Sequence, residues 1–503
     1  MVGLLDSARR DGRGRWHTHS SPGPAFGCYN ASMRQRTESR IDRRMRLSGT
    51  WWLPEHPETR VRGTLSRQSS DFATLITERG LIPNDQILTH SVTPVIHGQA
   101  GSWSRITLLQ CHSTNVPFSE ERYRVEDVLL AAHTTIGHWR TAIVSFPYLT
   151  EWAFQSRWYQ AGAVKPPTVL PPIKATWGAP RMLSADAPWG RLHLVADASW
   201  HYARDSFSIR RRLTFRLEAS TPRTLHEWRH DIVHPLTNLL SLFMETLIRP
   251  GTLKLLDFAA DELTSEEAGP VVKALSYESQ PDRASHFRGH VNSQTMPVPL
   301  KDLERKLSRI VKSWWAFYGR FPFLCGLFFG VHNDTQGFWQ YQFLAQVQAA
   351  ELYHRLRVRR YDISEVKHEE RLRVILGKTP KGHHKFLKDR LAHSNEMTLR
   401  RRLRVLFARA GTLLGPIVPD AKKVIDTVIG RRNEFVHGSA DFSLKGPGRY
   451  GAFRVIAVLS LLLQYVFLRE AGLTRPEAVR ALQRTFEYDY ARRMERDTRT
   501  NAS

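Results

Sequence analysis

Gly430-Arg431-Arg432-Asn433-Glu434-Phe435-Val436-His437-Gly438 is the stretch on which the reading of the C-terminal half turns. It closes a predicted helix that follows Val418-Pro419, with Asp420 as N-cap and Gly438 as a left-handed stop. Advancing about 100° per residue from Val424, the residues Val424, Ile425, Val428, Ile429, Phe435 and Val436 share an arc of roughly 140°, an ordinary core-facing stripe. Arg432 falls in the middle of that arc, and Asn433 and His437 lie just past one edge, a turn apart. A guanidinium aimed into an apolar face needs an anion or carries a large desolvation penalty. Two readings stay open: Arg432 closes a buried ion pair, or it serves a site that binds an anionic substrate.

The chemistry of the second reading is specific. Cutting RNA through its own 2′-hydroxyl needs a proton acceptor, a cation for the developing phosphorane charge and a donor to the leaving 5′-oxygen. Histidine exchanges protons near neutrality. Arginine offers a planar fork matched to phosphate oxygens. Asn433, four residues before His437, is placed to orient the imidazole or to bind a phosphate oxygen.

Arg432-Asn433-x-x-x-His437 before a glycine resembles the R-x4-6-H signature of HEPN-domain ribonucleases, in which the Arg and His are the catalytic pair. The wider context resembles the ApeA-like HEPN proteins of bacterial anti-phage defence. The run Phe343-Leu344-Ala345-Gln346-Val347-Gln348-Ala349-Ala350-Glu351-Leu352-Tyr353-His354-Arg355 is similar to that family's opening helix. Gly49-Thr50-Trp51-Trp52-Leu53-Pro54, the pair His97-Gly98 with Ile106-Thr107-Leu108-Leu109, and Phe146 to Trp152 together resemble its N-terminal domain. The resemblance implies a metal-independent endoribonuclease that uses no cofactor and leaves 2′,3′-cyclic phosphate and 5′-hydroxyl ends. It further implies tRNA or mRNA as substrate, a homodimer built through the HEPN domain, a phage-derived trigger sensed by the first half, and a bacterial cytoplasmic setting.

The predicted fold class is α+β and multidomain: a β-rich N-terminal domain followed by an all-α HEPN-type helical bundle. Residues 1–47 read as a disordered basic tail, or as the result of a start assigned too early, with Met33 or Met45 the natural starts. Residues 48–221 read as the β-rich sensor domain, with short β-branched and aromatic runs between turn signals. Within it a hairpin is expected around Gln99 to Ser104, and Ser206 to Leu217 as an outer strand with one charged face. Trp51, Trp52, Trp103, Trp139 and Trp152 read as core rather than as a base-stacking platform. Residues 222–312 read as a helical connector, 313–491 as the HEPN-type domain and 492–503 as a frayed tail.

In the C-terminal half the helix from about Phe338 to Arg357 puts Trp339, Phe343, Val347 and Ala350 on one stripe, with Glu351 at its edge. Glu351 is therefore the expected partner of Arg432, either holding the fork or taking part in the site. His354, inside the stripe, reads as a core histidine. Residues 366–410 are heavily basic, and Arg400, Arg401 and Arg404 on an amphipathic helix with Leu399, Leu403 and Leu406 are the expected rail for an RNA backbone.

The net charge of +25 suits a polyanionic partner, with nucleic acid first and an anionic membrane surface second. Cys28, Cys111 and Cys325 are too few and too scattered for a disulfide framework or a cysteine zinc site, and no stretch is long and apolar enough to span a bilayer. The rival motif is His226-Glu227-Trp228-Arg229-His230, a literal H-E-x-x-H, with His234 one turn further. In zincins the two histidines hold Zn²⁺ and the glutamate polarises water. Here the third ligand is not where zincins put it, and no metal is expected. The alternatives to the nuclease are thus a HEPN module that only binds RNA or a partner, and a zinc hydrolase.

Overall fold

The computed structural model describes residues 45–67, 72–81, 92–114, 120–134, 137–153, 182–203, 206–257, 272–276, 296–332, 338–358, 361–437 and 448–500. The segment before Met45, with Cys28 and Met33, lies outside them.

Six antiparallel strands form the first unit: β1 (Met45–Trp52), β2 (Val61–Arg67), β3 (Ala73–Thr77), β4 (Val92–Ala100), β5 (Trp103–Thr114) and β6 (Glu121–Leu130). Strict alternation sends Ala73, Leu75 and Thr77 of β3 inward, where Leu75 meets Leu65, Ile96, Ile106, Tyr123 and Val125 in a closed core. The hairpin expected around Gln99 to Ser104 is the β4–β5 turn, with Ala100 opposite Trp103 and Gly101 in the left-handed region at φ 58°. Gly98 is required by its neighbour, because a Cβ there would lie 2.1 Å from the ring of fully buried Trp51.

Strand β6 does two jobs. Its first half pairs with β3, Glu121 opposite Thr77 and Val125 opposite Ala73, and so closes a barrel. Its second half, Asp127 to Leu130, pairs with β12 (Val272–Ser276) and carries the sheet onward. The order continues through β11 (Leu253–Leu256), β7 (His138–Val144), β10 (Ser206–Thr224), β9 (Gly190–Ala203) and β8 (Met182–Ala187). Ser206 to Leu217 is outer only in part: Phe215 to Leu217 pair with β7 on one side and β9 on the other, while Ser206 to Thr214 pair with β9 alone among the described residues, and β8 is the edge of the sheet. Nor is 222–312 a purely helical connector, since β11 and β12 come from it and join barrel to sheet. Those strands are four and five residues long, too short to show a period of two against their surroundings.

The inner face of the second sheet is covered by helices. Helix α1 (Leu149–Ala153) buries Trp152, whose Nε1 donates to Val298 O at 2.8 Å. Helix α2, residues 225–244, starts at Leu225–Glu227, widens into a π turn at Trp228–Val233 and continues as His234–Met244. It buries Trp228, Leu236, Leu239, Leu240, Phe243 and Met244. Onto α2 docks α3 (Leu307–Arg320), with Trp314 Nε1 donating to Pro235 O at 2.8 Å and Trp315 Nε1 to Asp231 O at 2.9 Å, and α4 (Pro322–His332) packs on α3. Four of the five tryptophans read as core, Trp51, Trp52, Trp139 and Trp152, are buried.

The remaining helices are α5 (Trp339–Tyr353), α6 (Glu365–Gly377), α7 (His384–Leu391), α8 (Leu399–Arg409), α9 (Ala421–His437), α10 (Gly448–Glu470), α11 (Arg475–Leu482) and α12 (Phe486–Thr500). No helix among the described residues is long and apolar enough to cross a membrane. Residues 492–500 are helical rather than frayed, because Tyr488 and Ala491 are buried and Glu495 pairs with Arg454 of α10; residues 501–503 lie outside the described residues.

One joint between the halves is built on two buried carboxyls. Glu245, in the left-handed region at φ 50° after α2, accepts from Phe486 N at 3.2 Å and Glu487 N at 3.4 Å, capping α12 from across the molecule. Glu487 in turn accepts from Ser460 Oγ at 2.9 Å and Gln464 Nε2 at 2.6 Å on α10. Burial, with the Glu487 carboxylate beside it, pushes the Glu245 carboxyl up to about 8, and burial pushes Glu487 up to about 7. Unfolded carboxyls ionise near 4.5, so in the window between that value and 8 the folded state binds the extra protons. The contribution of this pair to stability is then fully present below about 4.5 and is lost as pH rises through this window. Denaturant titrations at both ends of the window should show this fall, and Glu245→Gln, which keeps the acceptor oxygen, should remove most of it.

Candidate functional site

Helix α9 forms where its capping residues require it. Asp420 Oδ1 accepts from Lys423 N at 2.9 Å, the N-cap bond expected of it, and Val424, Ile425 and Val428 are buried. Near the other end the stripe reaches Phe435, whose ring stands 5.5 Å from that of Trp339 and 5.6 Å from that of Phe343 on α5. Beyond that the core thins, and Val436 is 51 % exposed.

Arg432 lies where the stripe runs out. It is half-buried rather than sunk in the core, and its Nη1 donates to Oδ1 of the exposed Asn433 at 3.3 Å. The expected pair with Glu351 does not form. Glu351 Oε1 is met one turn on by Arg355 Nη2 at 3.4 Å, and the same guanidinium reaches Glu396 at 2.9 Å. The physical reason is the taper of the core: at its end a guanidinium keeps contact with water and needs no carboxylate partner. Among the described residues Arg432 makes no ion pair. Its neighbour Arg431 pairs with Glu434 at 2.9 Å. His437 is the last residue of α9, on the turn after Asn433; its side chain and Gly438 lie outside the described residues.

The expected rail on α8 is largely engaged within the protein. Arg400 pairs with Asp426 of α9, and Arg401 with Asp362. Arg404 alone of the three is exposed with no acidic partner among the described residues. Arg402, from the same basic run, is wholly buried: its Nε donates to Met397 O at 2.8 Å and its Nη1 stands 3.4 Å from His354 Nδ1. His354 is the core histidine the stripe predicts. Arg402 is a core residue that charge counting misses, although its place between Leu399 and Leu406 on their stripe marks it.

At the H-E-x-x-H stretch, His226 and His230 are exposed with ring centroids 4.2 Å apart. Glu227 is held by a capping box: its carboxylate accepts from Thr224 N at 2.7 Å and Thr224 Oγ1 at 2.9 Å, while Glu227 N donates back to Thr224 Oγ1. Those bonds lower its pKa. Trp228 and Arg229, the two middle residues, reach Trp139 O and Asp127, so the motif anchors α2 to the sheet. The S/T-x-x-E pattern Thr224 to Glu227 was the signal for this role. Among the described residues no group of three or more His, Cys, Asp and Glu side chains is placed to hold a metal ion. Burial pushes the Cys325 thiol up to about 12 and the Cys111 thiol higher still, which suits inert core positions.

A barrel and sheet are joined here to a helical bundle, with Arg-Asn-x-x-x-His closing one helix of the bundle. Comparison with family models gives this arrangement a name. Residues 46–177 match ApeA N-terminal domain 1, and residues 344–477 match the Apea-like HEPN family, together just over half of the chain. No curated protein and no solved structure gives a significant match. The chain is an ApeA-like HEPN protein. The Arg432 helix lies inside the second match.

The different roles of neighbouring arginines are separable by denaturation. Arg402→Ala should cost roughly 3 kcal/mol, through the cavity and the orphaned Met397 carbonyl, whereas Arg404→Ala should change stability by less than about 0.5 kcal/mol. Thr224→Ala should cost about 1 kcal/mol through the lost cap.

Proposed function

We propose that this protein is a metal-independent endoribonuclease of HEPN type, held inactive until triggered, and that it acts in bacterial defence against phage. The observation that carries the reading is Arg432: a half-exposed guanidinium within the matched HEPN region, with no ion pair among the described residues. A fixed fork of donors beside an exposed amide suits phosphate oxygens.

In the proposed reaction the ribose 2′-oxygen attacks phosphorus and the bond to the 5′-oxygen breaks. His437 takes the 2′-hydroxyl proton, Arg432 holds the negative charge that builds on the non-bridging oxygens, and Asn433 steadies either the imidazole or one of those oxygens. The products are a 2′,3′-cyclic phosphate and a 5′-hydroxyl. The leaving oxygen needs a proton donor, and a second copy of the motif across a two-fold axis supplies one. Exposed Phe338 and Tyr341 stand at the end of α5 where Trp339 meets Phe435, beside exposed Val436, and suit such a pairing. RNA such as tRNA or mRNA is the substrate class, and the barrel-bearing half is the module that senses the trigger, a phage component. Glu351 belongs to the Arg355–Glu396 cluster and supports α5.

The zinc reading is weakened by the capping box that holds Glu227. The test is cleavage of labelled tRNA and mRNA in EDTA. With its trigger supplied, the wild type should cut and leave 5′-hydroxyl ends, and Arg432→Ala and His437→Ala should each lose at least about 100-fold in rate. Activity lost in EDTA and restored by zinc, or undiminished in His437→Ala, would defeat the proposal.

A further inference from the structure

Helices α6 and α7 form a hairpin in which neither helix has a buried residue. It projects from a fixed root. Asp362 N donates to Asn395 O at 2.7 Å, Ile363 N to Asn395 Oδ1 at 3.0 Å, and Asn395 Nδ2 to Ile363 O at 3.0 Å. Asp362 also pairs with Arg401 at the start of α8, and α8 is tied to the motif helix through Arg400 and Asp426. A segment that buries nothing adds little to the stability of the bundle, so its held root and its surface chemistry call for a separate account.

The surface chemistry is a set of cations. Lys378 caps the end of α6, Lys381 lies in the turn that follows Pro380, and Lys385 and Lys388 stand one turn apart on α7; all four are exposed. None makes an ion pair among the described residues. Arg390 lies over the ring of Phe386 at 5.6 Å, and Phe386 is itself 60 % exposed. The contrast with α8 is plain, because there two of the arginines already hold carboxylates and a third is buried. We infer that the α6–α7 hairpin is an RNA-binding arm: its lysines track the phosphate backbone, with Phe386 and Arg390 offering a stacking face to an unpaired base. Unpaired point charges gathered at one end of the hairpin and along α7 fit a chain of phosphates, and an exposed aromatic with a stacked guanidinium fits a nucleobase. The inference rests on RNA being what the nuclease site acts on, and it moves the binding rail from α8 to the hairpin.

The test uses the full chain carrying His437→Ala to prevent cleavage, with a short fluorescein-labelled single-stranded RNA and anisotropy across a salt series. Lys381→Gln/Lys385→Gln/Lys388→Gln should bind at least about tenfold more weakly near physiological salt. Its plot of log affinity against log salt should be shallower by about two. The matching triple Arg variant should bind like the parent, and because nothing is buried there, the melting temperature should not move. Equal affinity and slope in the Gln variant, or binding by the arm to phosphatidylserine vesicles but not to RNA, would overturn the inference. The nuclease reading fails separately. If the His437-bearing chain cuts no RNA while the Gln variant still loses binding, the arm stands and the nuclease does not; if the Gln variant binds undiminished while the same three substitutions in the His437-bearing chain leave cleavage intact, the reverse holds.

Discussion

The structure depends on one aromatic contact set. Phe467 of α10 stacks on Phe328 at 4.7 Å and meets Phe317, Phe329 and Trp314 edge-on or tilted within 6.4 Å. Trp314 and Phe317 belong to α3, which packs on the helix covering the second sheet. The apolar face of that sheet, α2, α3 and α10 thus form one continuous core that runs from strand β7 to Ala491. Burial on this scale is non-directional. Polar bonds at its rim supply direction: Trp314 to Pro235, Trp315 to Asp231, and Glu245 across to the start of α12. In the proposed function, whatever the barrel senses reaches the HEPN bundle through this joint, and Glu245 and Glu487 lie within it.

Arginine is the residue whose placement separates scaffold from function. Arg402 is buried with a carbonyl and an imidazole, Arg454 is shared between Glu495 and Ile417 O, and Arg229 ties α2 to Asp127 where β6 leaves the barrel. Each of these is a cation tied down by the fold. Arg432 and the lysines of the α6–α7 hairpin are not tied down in this way, and they are the cations to which the proposed chemistry and binding are assigned. A net charge of +25 says only that many cations exist; the pairing decides which are available.

Local pattern carried the reading where local physics decides the structure. Asp420 and the Val424–Val428 stripe marked α9, the glycine-flanked turn marked the β4–β5 hairpin, and the apolar run of α5 marked the helix that meets Phe435. What could not be read was set by distant partners. Barrel closure is the pairing of β3 with the first half of β6, and the branch into the second sheet is the pairing of its other half with β12. No local period encodes either. The Glu351–Arg432 pair failed for a related reason: helical angle assigns a side chain to a face but not to a depth, and Arg432 sits where that face has already reached water. Glu227 belongs to two overlapping patterns, H-E-x-x-H and the S/T-x-x-E capping box, and the bonds to Thr224 show that the cap is the one that holds it.

The central claim is that the RNA supplies its own nucleophile while one guanidinium and one imidazole at the close of α9 serve the phosphate. Substituting the 2′-oxygen tests this most directly. Under one set of conditions, triggered if a trigger is needed, the protein is given an unmodified RNA and the same sequence fully 2′-O-methylated. The account predicts that both bind and only the unmodified strand is cut; cutting of both strands, or of neither, would contradict it.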